Sequence, residues 1–212
     1  GDILDGPLLD RLFAAERFDA VLHLAAESVS SDSVSEPLRY YRSNVVGTQL
    51  LLDACRRHKP RYLVFSSSAA VYGAPKRLPV SERAALAPIN PYGATKAMGE
   101  RMLQDHCAVA ELRAVSLRFF NVAGADPQGR AGESTPVASH LIKIAAEVVT
   151  GKRAELALFG EDYPTPDGTC IRDYVHVSDV AQAHLDALNY LAAGGATRAF
   201  NLGYGQGASV KE

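Results

Sequence analysis

A tyrosine and a lysine four residues apart are the side chains of this sequence best suited to acid–base chemistry. They frame the run Tyr92-Gly93-Ala94-Thr95-Lys96, and the preceding pair Asn90-Pro91 is typical of a helix start. Side chains at positions i and i+4 of a helix lie on one face. A phenol has a pKa of roughly 10, and a nearby ammonium and a helix start both favour its ionised form. We therefore expect Lys96 to lower the pKa of Tyr92, so that the pair works near neutral pH; an amphipathic surface pair is the alternative.

Three consecutive serines could add a hydroxyl to the same site. Ser66-Ser67-Ser68 follows the apolar run at residues 61–65, which is typical of a buried strand. A serine hydroxyl at the end of such a strand can hydrogen-bond the substrate oxygen that a tyrosine deprotonates. The alternative is a polar turn without a chemical role.

Short apolar runs alternate with longer helical stretches along the chain. Strands are predicted at residues 20–24, 61–65, 114–120 and 199–203, and helices at 8–15, 37–57, 90–110, 135–150 and 178–193. Thr135-Pro136 is predicted to start the fourth helix, and Ser178-Asp179 is predicted to cap the last. The alternation predicts an α/β fold, a doubly wound parallel sheet with helices on both faces. Ligands bind such sheets at the carboxyl ends of the strands, which are followed here by Ala25-Ala26, Ser66-Ser67-Ser68 and Asn121.

The composition is that of a soluble globular protein. The chain has 212 residues, 47% of them apolar, and its 22 basic and 24 acidic side chains give a net charge of −2. We expect no nucleic acid partner, which usually brings a basic excess, and no membrane partner, because no apolar run approaches the roughly 18–20 residues of a span. No signal peptide is recognised at the start of the sequence. Cys55, Cys107 and Cys170 lie far apart, so we expect no disulfide framework, no metal site and a reducing, cytoplasmic location.

Longer motifs connect the candidate residues to a known family. They are, in chain order, Gly1-Asp2-Ile3, His23-Leu24-Ala25-Ala26, Asn44-Val45-Val46-Gly47-Thr48, Ser66-Ser67-Ser68-Ala69-Ala70-Val71-Tyr72-Gly73, Asn90-Pro91-Tyr92-Gly93-Ala94-Thr95-Lys96, Arg118-Phe119-Phe120-Asn121-Val122-Ala123-Gly124-Ala125 and the segment 163–177. In this combination the sequence resembles the UDP-glucose 4-epimerase family of the extended short-chain dehydrogenase/reductase group. The segment 163–177 is the part that separates this family from most other members of the group.

The resemblance implies a role for each matching residue. Tyr92 is the implied base that takes the proton of the sugar 4-hydroxyl, Lys96 assists it, and Ser68 bridges Tyr92 and the substrate oxygen. The implied cofactor is NAD, and its implied contacts are Asp2, Ile3, Leu24, Ala25, Ala26, Ser28, Ser43, Ser68, Tyr92, Lys96 and Phe120. The implied contacts of the UDP-sugar are Ser68, Tyr92, Asn121, His140, Leu141, Leu156, Ala157, Leu158, Phe159 and Arg172, with Arg172 gripping the diphosphate.

The implied activity is epimerisation at C4 of UDP-glucose and UDP-galactose through a 4-keto intermediate. UDP-xylose with UDP-arabinose, or UDP-N-acetylhexosamines, remain open as alternative substrates. A dehydratase or reductase of the same group is disfavoured, because Ala69-Ala70 stands where a dehydratase carries an acidic pair. The remaining alternative, of another class, is that this chain by itself is a non-catalytic fragment or interaction module.

The resemblance also sets the expected organisation. Residues 1–121 are expected to form a partial NAD-binding Rossmann-like domain. Residues 122–212 are expected to form a substrate-binding part, interleaved with returning Rossmann elements around 172–193. A glycine-rich phosphate turn is not found after a first strand, so we expect an internal stretch of a longer enzyme, incomplete at both ends.

Three further expectations concern glycines, helices and a histidine. Gly203-Tyr204-Gly205-Gln206-Gly207 has a tempting spacing but the wrong context for a phosphate loop, and it is expected to be a turn into a next, missing element. The helices at 37–57 and 90–110 are expected, from the resemblance, to pair in a homodimer. His184 is expected on a solvated helix face.

Overall fold

The computed structural model describes residues 1–135 and 140–212. The α-helices are α1 (Gly6–Ala15), α2 (Ser30–Ser35), α3 (Pro37–Tyr40), α4 (Gly47–His58), α5 (Pro91–Cys107), α6 (Leu141–Val149) and α7 (Val177–Ala192). The strands are β1 (Ala20–His23), β2 (Tyr62–Ser68), β3 (Arg113–Phe119), β4 (Asn121–Ala123), β5 (Ile171–His176), β6 (Arg198–Leu202) and β7 (Gly207–Ser209). Contacts divide the chain into a sheet unit, Gly1–Phe119 with Ala183–Asn201, and a loop unit, Phe120–Gln182 with Leu202–Glu212.

The sheet unit is built on a four-stranded sheet in the order β1-β2-β3-β6. β1 pairs with β2 and β2 with β3 in parallel. Side chains alternate along β2: Leu63 and Phe65 pack into a core cluster with α1, α4 and α5, whereas Val64 packs into a second cluster with Leu191 of α7. Both faces of the sheet are therefore covered by helices. The predicted α/β, Rossmann-like fold class is confirmed.

Two long helical segments of the sheet unit begin within one residue of their predicted starts. Asn90 Oδ1 accepts the N–H of Gly93 at 2.8 Å, and Pro91 occupies the first turn of α5. The predicted helix at 37–57 is continuous but changes type, since a π-helical segment, Tyr41–Val46, joins α3 to α4. Sequence periodicity did not predict that segment.

Three boundaries differ from the sequence predictions. The serine triplet belongs to β2 itself, so the polar-turn alternative is wrong. The last helix begins at Val177, and the N–H of Ser178 donates to His176 Nδ1 at 3.2 Å, so Ser178 is not the cap. α6 begins at Leu141; Thr135 is not helical, and the predicted start at Pro136 lies outside the described residues.

The loop unit contains a smaller sheet and long irregular segments. β4 pairs with β5 in parallel, and β5 with β7 in antiparallel orientation. The Asp167 carboxylate accepts the N–H and the hydroxyl of Thr169, both at 2.8 Å, and the hydroxyl of Ser209. One half-buried carboxylate thus ties the turn at 167–169 to the strand β7. Among the described residues of the chain, no helix is both long enough and apolar enough to cross a bilayer.

Candidate active site

The three predicted catalytic residues lie in the sheet unit, on two elements that pack together. Ser68 is the last residue of β2, and Tyr92 and Lys96 lie in the first turns of α5. Tyr92 is 8% exposed and Lys96 is 4% exposed. The alternative of a surface pair is therefore wrong, because an amphipathic surface pair would be solvated.

Two glycines allow α5 to approach β2 and the turn after it. A Cβ built on Gly93 would stand 2.5 Å from the carbonyl oxygen of Ala70, and one on Gly99 would stand 2.6 Å from the ring of Phe65. Any side chain at either position would push the helix away from the strand. The helix segment that carries Tyr92 and Lys96 is thus held against the carboxyl end of β2.

Lys96 buries an ammonium group beside the same strand. Its Nζ donates to the carbonyl of Ser66 at 2.8 Å and lies 5.1 Å from the centre of the Phe65 ring. Burial lowers the pKa of Lys96 from 10.5 to about 8. An ammonium has three N–H donors, and Ser66 is the acceptor recorded for this one within the described residues.

Tyr92 departs from the sequence prediction in the direction of its pKa. Burial raises the pKa above 10.0, a hydrogen bond with Ser68 lowers it by a smaller amount, and Tyr40 raises it further. Lys96 Nζ lies 5.9 Å from the centre of the Tyr92 ring. Because desolvation of the phenol outweighs the other effects, the net pKa of Tyr92 is raised, and the expected lowering by Lys96 stays a prediction. The bridging role of Ser68 between Tyr92 and a substrate oxygen stays a prediction.

A chain of buried polar groups leads from the sheet to the backbone of Tyr92. His23 Nε2 lies 2.9 Å from Thr48 Oγ1, and the Thr48 hydroxyl donates to the carbonyl of Asn44 at 2.6 Å, so the Nε2–H of His23 is the donor. Asn44 Nδ2 donates to Thr95 Oγ1 at 3.0 Å, and the Thr95 hydroxyl donates to the carbonyl of Tyr92 at 2.7 Å. Asn44 lies in the π-helical segment, a feature often found at functional sites. The sequence offered no signal for these contacts, which join positions far apart in the chain.

The histidine of α7 corrects another expectation. His184 is 5% exposed, and its Nε2 lies 3.1 Å from Ser66 Oγ. The prediction of a solvated helix face is wrong for this residue. A buried imidazole that faces a strand hydroxyl cannot be recognised from helix periodicity alone, because His is found in both settings.

The other cofactor residues predicted from the resemblance fall into both units. Leu24, Ala25 and Ala26 follow β1 directly, and Leu24 is 60% exposed, a large value for an apolar side chain. Those of the sheet unit, besides Ser68, Tyr92 and Lys96, are Asp2, Ile3, Leu24, Ala25, Ala26, Ser28 and Ser43. Phe120 belongs to the loop unit, where its N–H donates to the carbonyl of Leu202 at 3.2 Å.

The remaining substrate residues predicted from the resemblance all belong to the loop unit. They are Asn121, His140, Leu141, Leu156, Ala157, Leu158, Phe159 and Arg172. Asn121 is exposed on β4, His140 pairs with Glu133 at 3.1 Å, and Arg172 is exposed with one N–H donated to the carbonyl of Ile171. Residues 156–159 have no regular secondary structure, so their backbone groups are available to a ligand.

The glycine cluster near the end of the chain is not a phosphate loop. The Asp173 carboxylate accepts the N–H of Tyr204 at 3.0 Å and the N–H of Gly205 at 2.8 Å. Backbone amides that a phosphate would need are therefore already bound to a carboxylate of the protein itself. The chain turns at residues 203–206, as predicted, but the expectation that the next element is missing is wrong, because Gly207 begins β7. Asp173, about thirty positions upstream, holds the turn, which the spacing of the glycines could not reveal.

With this geometry established, the chain was compared with known proteins. A sequence profile described as the NAD dependent epimerase/dehydratase family matches residues 1–203. The chain belongs to the NAD dependent epimerase/dehydratase family. Its fold is thus that of a family member.

Members of this family with assigned names are similar along the whole chain. A UDP-glucose 4-epimerase of Azospirillum brasilense is 56% identical over 212 residues, which are 100% of this chain and 61% of that protein. The structure of UDP-glucose 4-epimerase from Brucella ovis in complex with NAD matches with a TM-score of 0.96 at 48% identity, covering 100% of this chain and 65% of that one. The structure from Bifidobacterium longum, in complex with NAD+ and UDP, matches with a TM-score of 0.93 at 38% identity, covering 100% and 64%. The chain therefore spans less than two thirds of these relatives.

Proposed function

We propose that the natural protein that contains this chain catalyses NAD-dependent epimerisation at C4 of a UDP-sugar, interconverting UDP-glucose and UDP-galactose. The observation that carries the proposal is the meeting of Ser68, Tyr92 and Lys96 at the carboxyl end of β2. The names of the similar proteins support the same activity.

The donor set of the candidate site fits NAD. NAD presents ribose hydroxyls, and the Lys96 ammonium carries more N–H donors than the one given to Ser66. When bound, NAD supplies a reversible hydride acceptor and a cationic ring whose charge favours the phenolate form of Tyr92. Lys96 and Tyr92 would hold the cofactor, together with the residues after β1 and at 2–3, Ser28, Ser43 and Phe120.

The residues of the chain then divide the proton chemistry between them. The Tyr92 oxygen takes the proton of the sugar 4-hydroxyl when a 4-keto sugar forms, and returns it when the opposite face is reduced. The Ser68 hydroxyl, hydrogen-bonded to Tyr92, orients the same sugar oxygen. Burial raises the pKa of Tyr92, which makes the phenol a weaker acid and its phenolate a stronger base, so the return of the proton is the more demanding half of the cycle. Both half-reactions need the same residue, so an intermediate pKa is required of it.

The exposed residues of the loop unit would bind the nucleotide. Arg172 offers a planar fork of N–H donors that suits a diphosphate, His140 and Leu141 stand at the first turn of α6, and the backbone at 156–159 offers groups for a uracil. Asn121 would contact the sugar nucleotide. Binding energy is thereby concentrated on the UDP part, which leaves the sugar free to present either face.

A coupled assay of the full natural protein tests the proposal. We expect interconversion of UDP-glucose and UDP-galactose without net consumption of NAD. UDP-xylose and UDP-N-acetylglucosamine, offered separately, report whether one of the alternative substrates is preferred. The absence of C4 inversion with every one of these substrates, or accumulation of a 4-keto-6-deoxy sugar, would contradict the proposal.

We propose further that the full protein is a cytoplasmic homodimer that pairs through the helices at 37–57 and α5. Apolar side chains exposed on these helices support the pairing, among them Leu38 at 80%, Val46 at 42% and Met98 at 44%. The free thiols of Cys55, Cys107 and Cys170 support a reducing compartment. Light scattering of the full protein is expected to give the mass of a dimer, and a monomer at micromolar concentration would refute the pairing.

A further inference from the structure

A buried ion pair in the sheet unit lies one helical turn beyond the candidate catalytic residues. Arg118 of β3 and Glu100 of α5 are 4% and 2% exposed, respectively. Arg118 Nε donates to Glu100 Oε1 at 2.9 Å, and its Nη2 donates to Oε2 at 2.5 Å. The proposed reaction does not use either group, and burial of two charges is costly unless their geometry is fully satisfied.

Further hydrogen bonds complete this pair. Arg118 Nη1 donates to the hydroxyl of Tyr72 at 2.7 Å and to the carbonyl of Glu82 at 3.3 Å. The hydroxyl of Tyr72 donates to Asn201 Oδ1 at 2.6 Å. The ion pair therefore joins α5, β3, the turn after β2 and β6 through bonds of fixed direction.

The same pair is bonded to the strand that carries Ser68. The hydroxyl of Ser67 donates to Glu100 Oε1 at 2.5 Å. Glu100 follows Lys96 by four residues and Tyr92 by eight, so the three share one face of α5. That face is bonded to β2 twice, by Lys96 to the carbonyl of Ser66 and by Glu100 to the hydroxyl of Ser67. Two bonds to adjacent strand residues fix the position of the helix along the strand.

We propose that Ser67 and the Glu100–Arg118 ion pair are positioning residues, which hold the Ser68 hydroxyl in register with Tyr92 for the proton transfer. The proposal rests on the proposed function. Ser67 and Glu100 touch neither Ser68 Oγ nor the Tyr92 oxygen in any recorded contact, so they act through the placement of β2 against α5.

The substitution Ser67→Ala tests this with little risk to folding, because it removes one hydroxyl and leaves the ion pair. In the full natural protein we expect kcat for C4 epimerisation to fall about 10-fold, with KM within about 2-fold, because a small displacement of a reacting group reduces the rate more than it reduces binding. The matched control is Ser116→Ala, which removes a buried hydroxyl from the neighbouring strand β3 outside this network. The control is expected to keep kcat within about 2-fold.

A second measurement does not depend on activity. Ser68 of β2 and Tyr40 of α3 both affect the pKa of Tyr92, and Lys96 Nζ lies 5.9 Å from the centre of its ring. NMR of the protein labelled at tyrosine Cζ, with Tyr92 assigned by Tyr92→Phe, follows its ionisation directly. Ser67→Ala is expected to raise the apparent pKa of Tyr92 further, since the hydrogen bond from Ser68 that lowers it is weakened, whereas Ser116→Ala is expected to leave it unchanged.

The outcomes separate the two proposals. Loss of kcat with a shifted Tyr92 titration in Ser67→Ala alone supports positioning, and Glu100→Gln is expected to give the larger loss where it folds. An unchanged titration in Ser67→Ala overturns the inference, whatever happens to kcat, because the displacement would not have reached Tyr92. If the unsubstituted protein inverts no UDP-sugar, the proposed function fails, while the titration still decides whether Ser67 positions Tyr92.

Discussion

The sheet unit and the loop unit differ in how they hold their buried and half-buried charged side chains. In the sheet unit, Lys96, Glu100 and Arg118 are each no more than 4% exposed, and their partners are side chains and carbonyls on neighbouring strands and helices. In the loop unit, the half-buried carboxylates of Asp167 and Asp173 accept backbone N–H groups of turns. The first arrangement is closed by packing on every side, and the second depends on a few bonds near solvent.

This difference fits the proposed roles of the two units, proton transfer in the sheet unit and nucleotide binding in the loop unit. A buried charge that loses its partner costs several kcal/mol, so the buried arrangement has one strongly preferred geometry. Turns held by a few solvent-near bonds open locally at low cost, and such segments commonly form ligand-binding loops. Proton transfer at Tyr92 requires the first property, and release of a nucleotide-sugar benefits from the second.

The largest expected effect comes from the hydroxyl of Tyr92. Tyr92→Phe removes the atom that moves the proton, so we expect C4 epimerisation of UDP-galactose by the full protein to fall about 10³-fold. Tyr190→Phe, which removes a hydroxyl that donates to the carbonyl of Ala196, is the control and should keep the activity. A Tyr92→Phe protein with a tenth or more of the original rate would exclude Tyr92 as the proton carrier.

Next in size is the effect of neutralising one member of a buried pair. Glu100→Gln leaves the Arg118 charge buried without a counter-charge, and we expect the free energy of unfolding of the sheet unit to fall by about 3–5 kcal/mol. Native-state hydrogen exchange of β2 and β3 amides measures this loss. Glu161→Gln breaks the exposed pair with Lys211 in the loop unit and should leave exchange there unchanged. Equal effects of the two substitutions would remove the contrast between the units.

Acidification should lower the stability of the sheet unit at a higher pH than it lowers the stability of the loop unit. Burial, with a smaller contribution from Lys96, lowers the pKa of His23 from 6.5 to about 4. Between these values the unfolded chain binds a proton that the folded chain does not, so stability falls as the pH falls through this window, by about 3 kcal/mol. His23→Gln should flatten this slope in unfolding curves between pH 7 and 4, and an unchanged slope would show that another group controls the stability in this window.

Asp167 sets the corresponding window of the loop unit. Hydrogen bonds from Ser209 and Thr169 lower its pKa below 3.8. The stability it contributes is therefore complete above pH 3.8 and is lost only as the pH falls through its lower folded value. Hydrogen exchange at Thr169 should accelerate in that acidic range and not near pH 6. Acceleration at pH 6 would mean that another group controls the turn.

The smallest effect is expected at the glycine cluster. Asp173→Asn replaces a charged acceptor of two backbone N–H groups by a neutral one, which should weaken the turn by about 1 kcal/mol. Exchange of the Tyr204 and Gly205 amides is then expected to accelerate about 5-fold. Asp162→Asn, elsewhere in the loop unit, is the control, and identical rates in both variants would show that Asp173 does not hold the turn.

Local sequence signals predicted the parts of the fold that depend on local physics. Apolar runs gave the strands of the sheet unit, and Asn90-Pro91 gave the start of α5, because a cap and a fixed φ act within one turn. The fit of α5 against β2 was not predictable in detail, since it depends on what a Cβ at Gly93 or Gly99 would strike. Sequence spacing could place Tyr92 and Lys96 on one face, but not how much desolvation each would meet.

The polar contacts between distant segments were beyond the reach of the sequence. Glu100 and Arg118 are 18 positions apart, and the sequence offers several oppositely charged residues as possible partners for each. The sequence predicts that His184 is a surface residue of an amphipathic helix, whereas in the structure it lies opposite Ser66. Such pairs are set by tertiary packing, and helix or strand periodicity carries no information about them.

The serine triplet of β2 has a consequence for how mutations in it should be interpreted. Its three side chains are chemically identical and consecutive, yet each has a different partner. Ser66 pairs with the histidine of α7, Ser67 with the glutamate of α5 and Ser68 with the tyrosine of α5. A deletion or insertion of one serine would leave a run made only of serines, but it would shift the hydroxyls by one position along the strand, away from their partners. The three serines therefore do not replace one another. A change in the length of the run should reduce stability and activity far more than the substitution of any one of its residues.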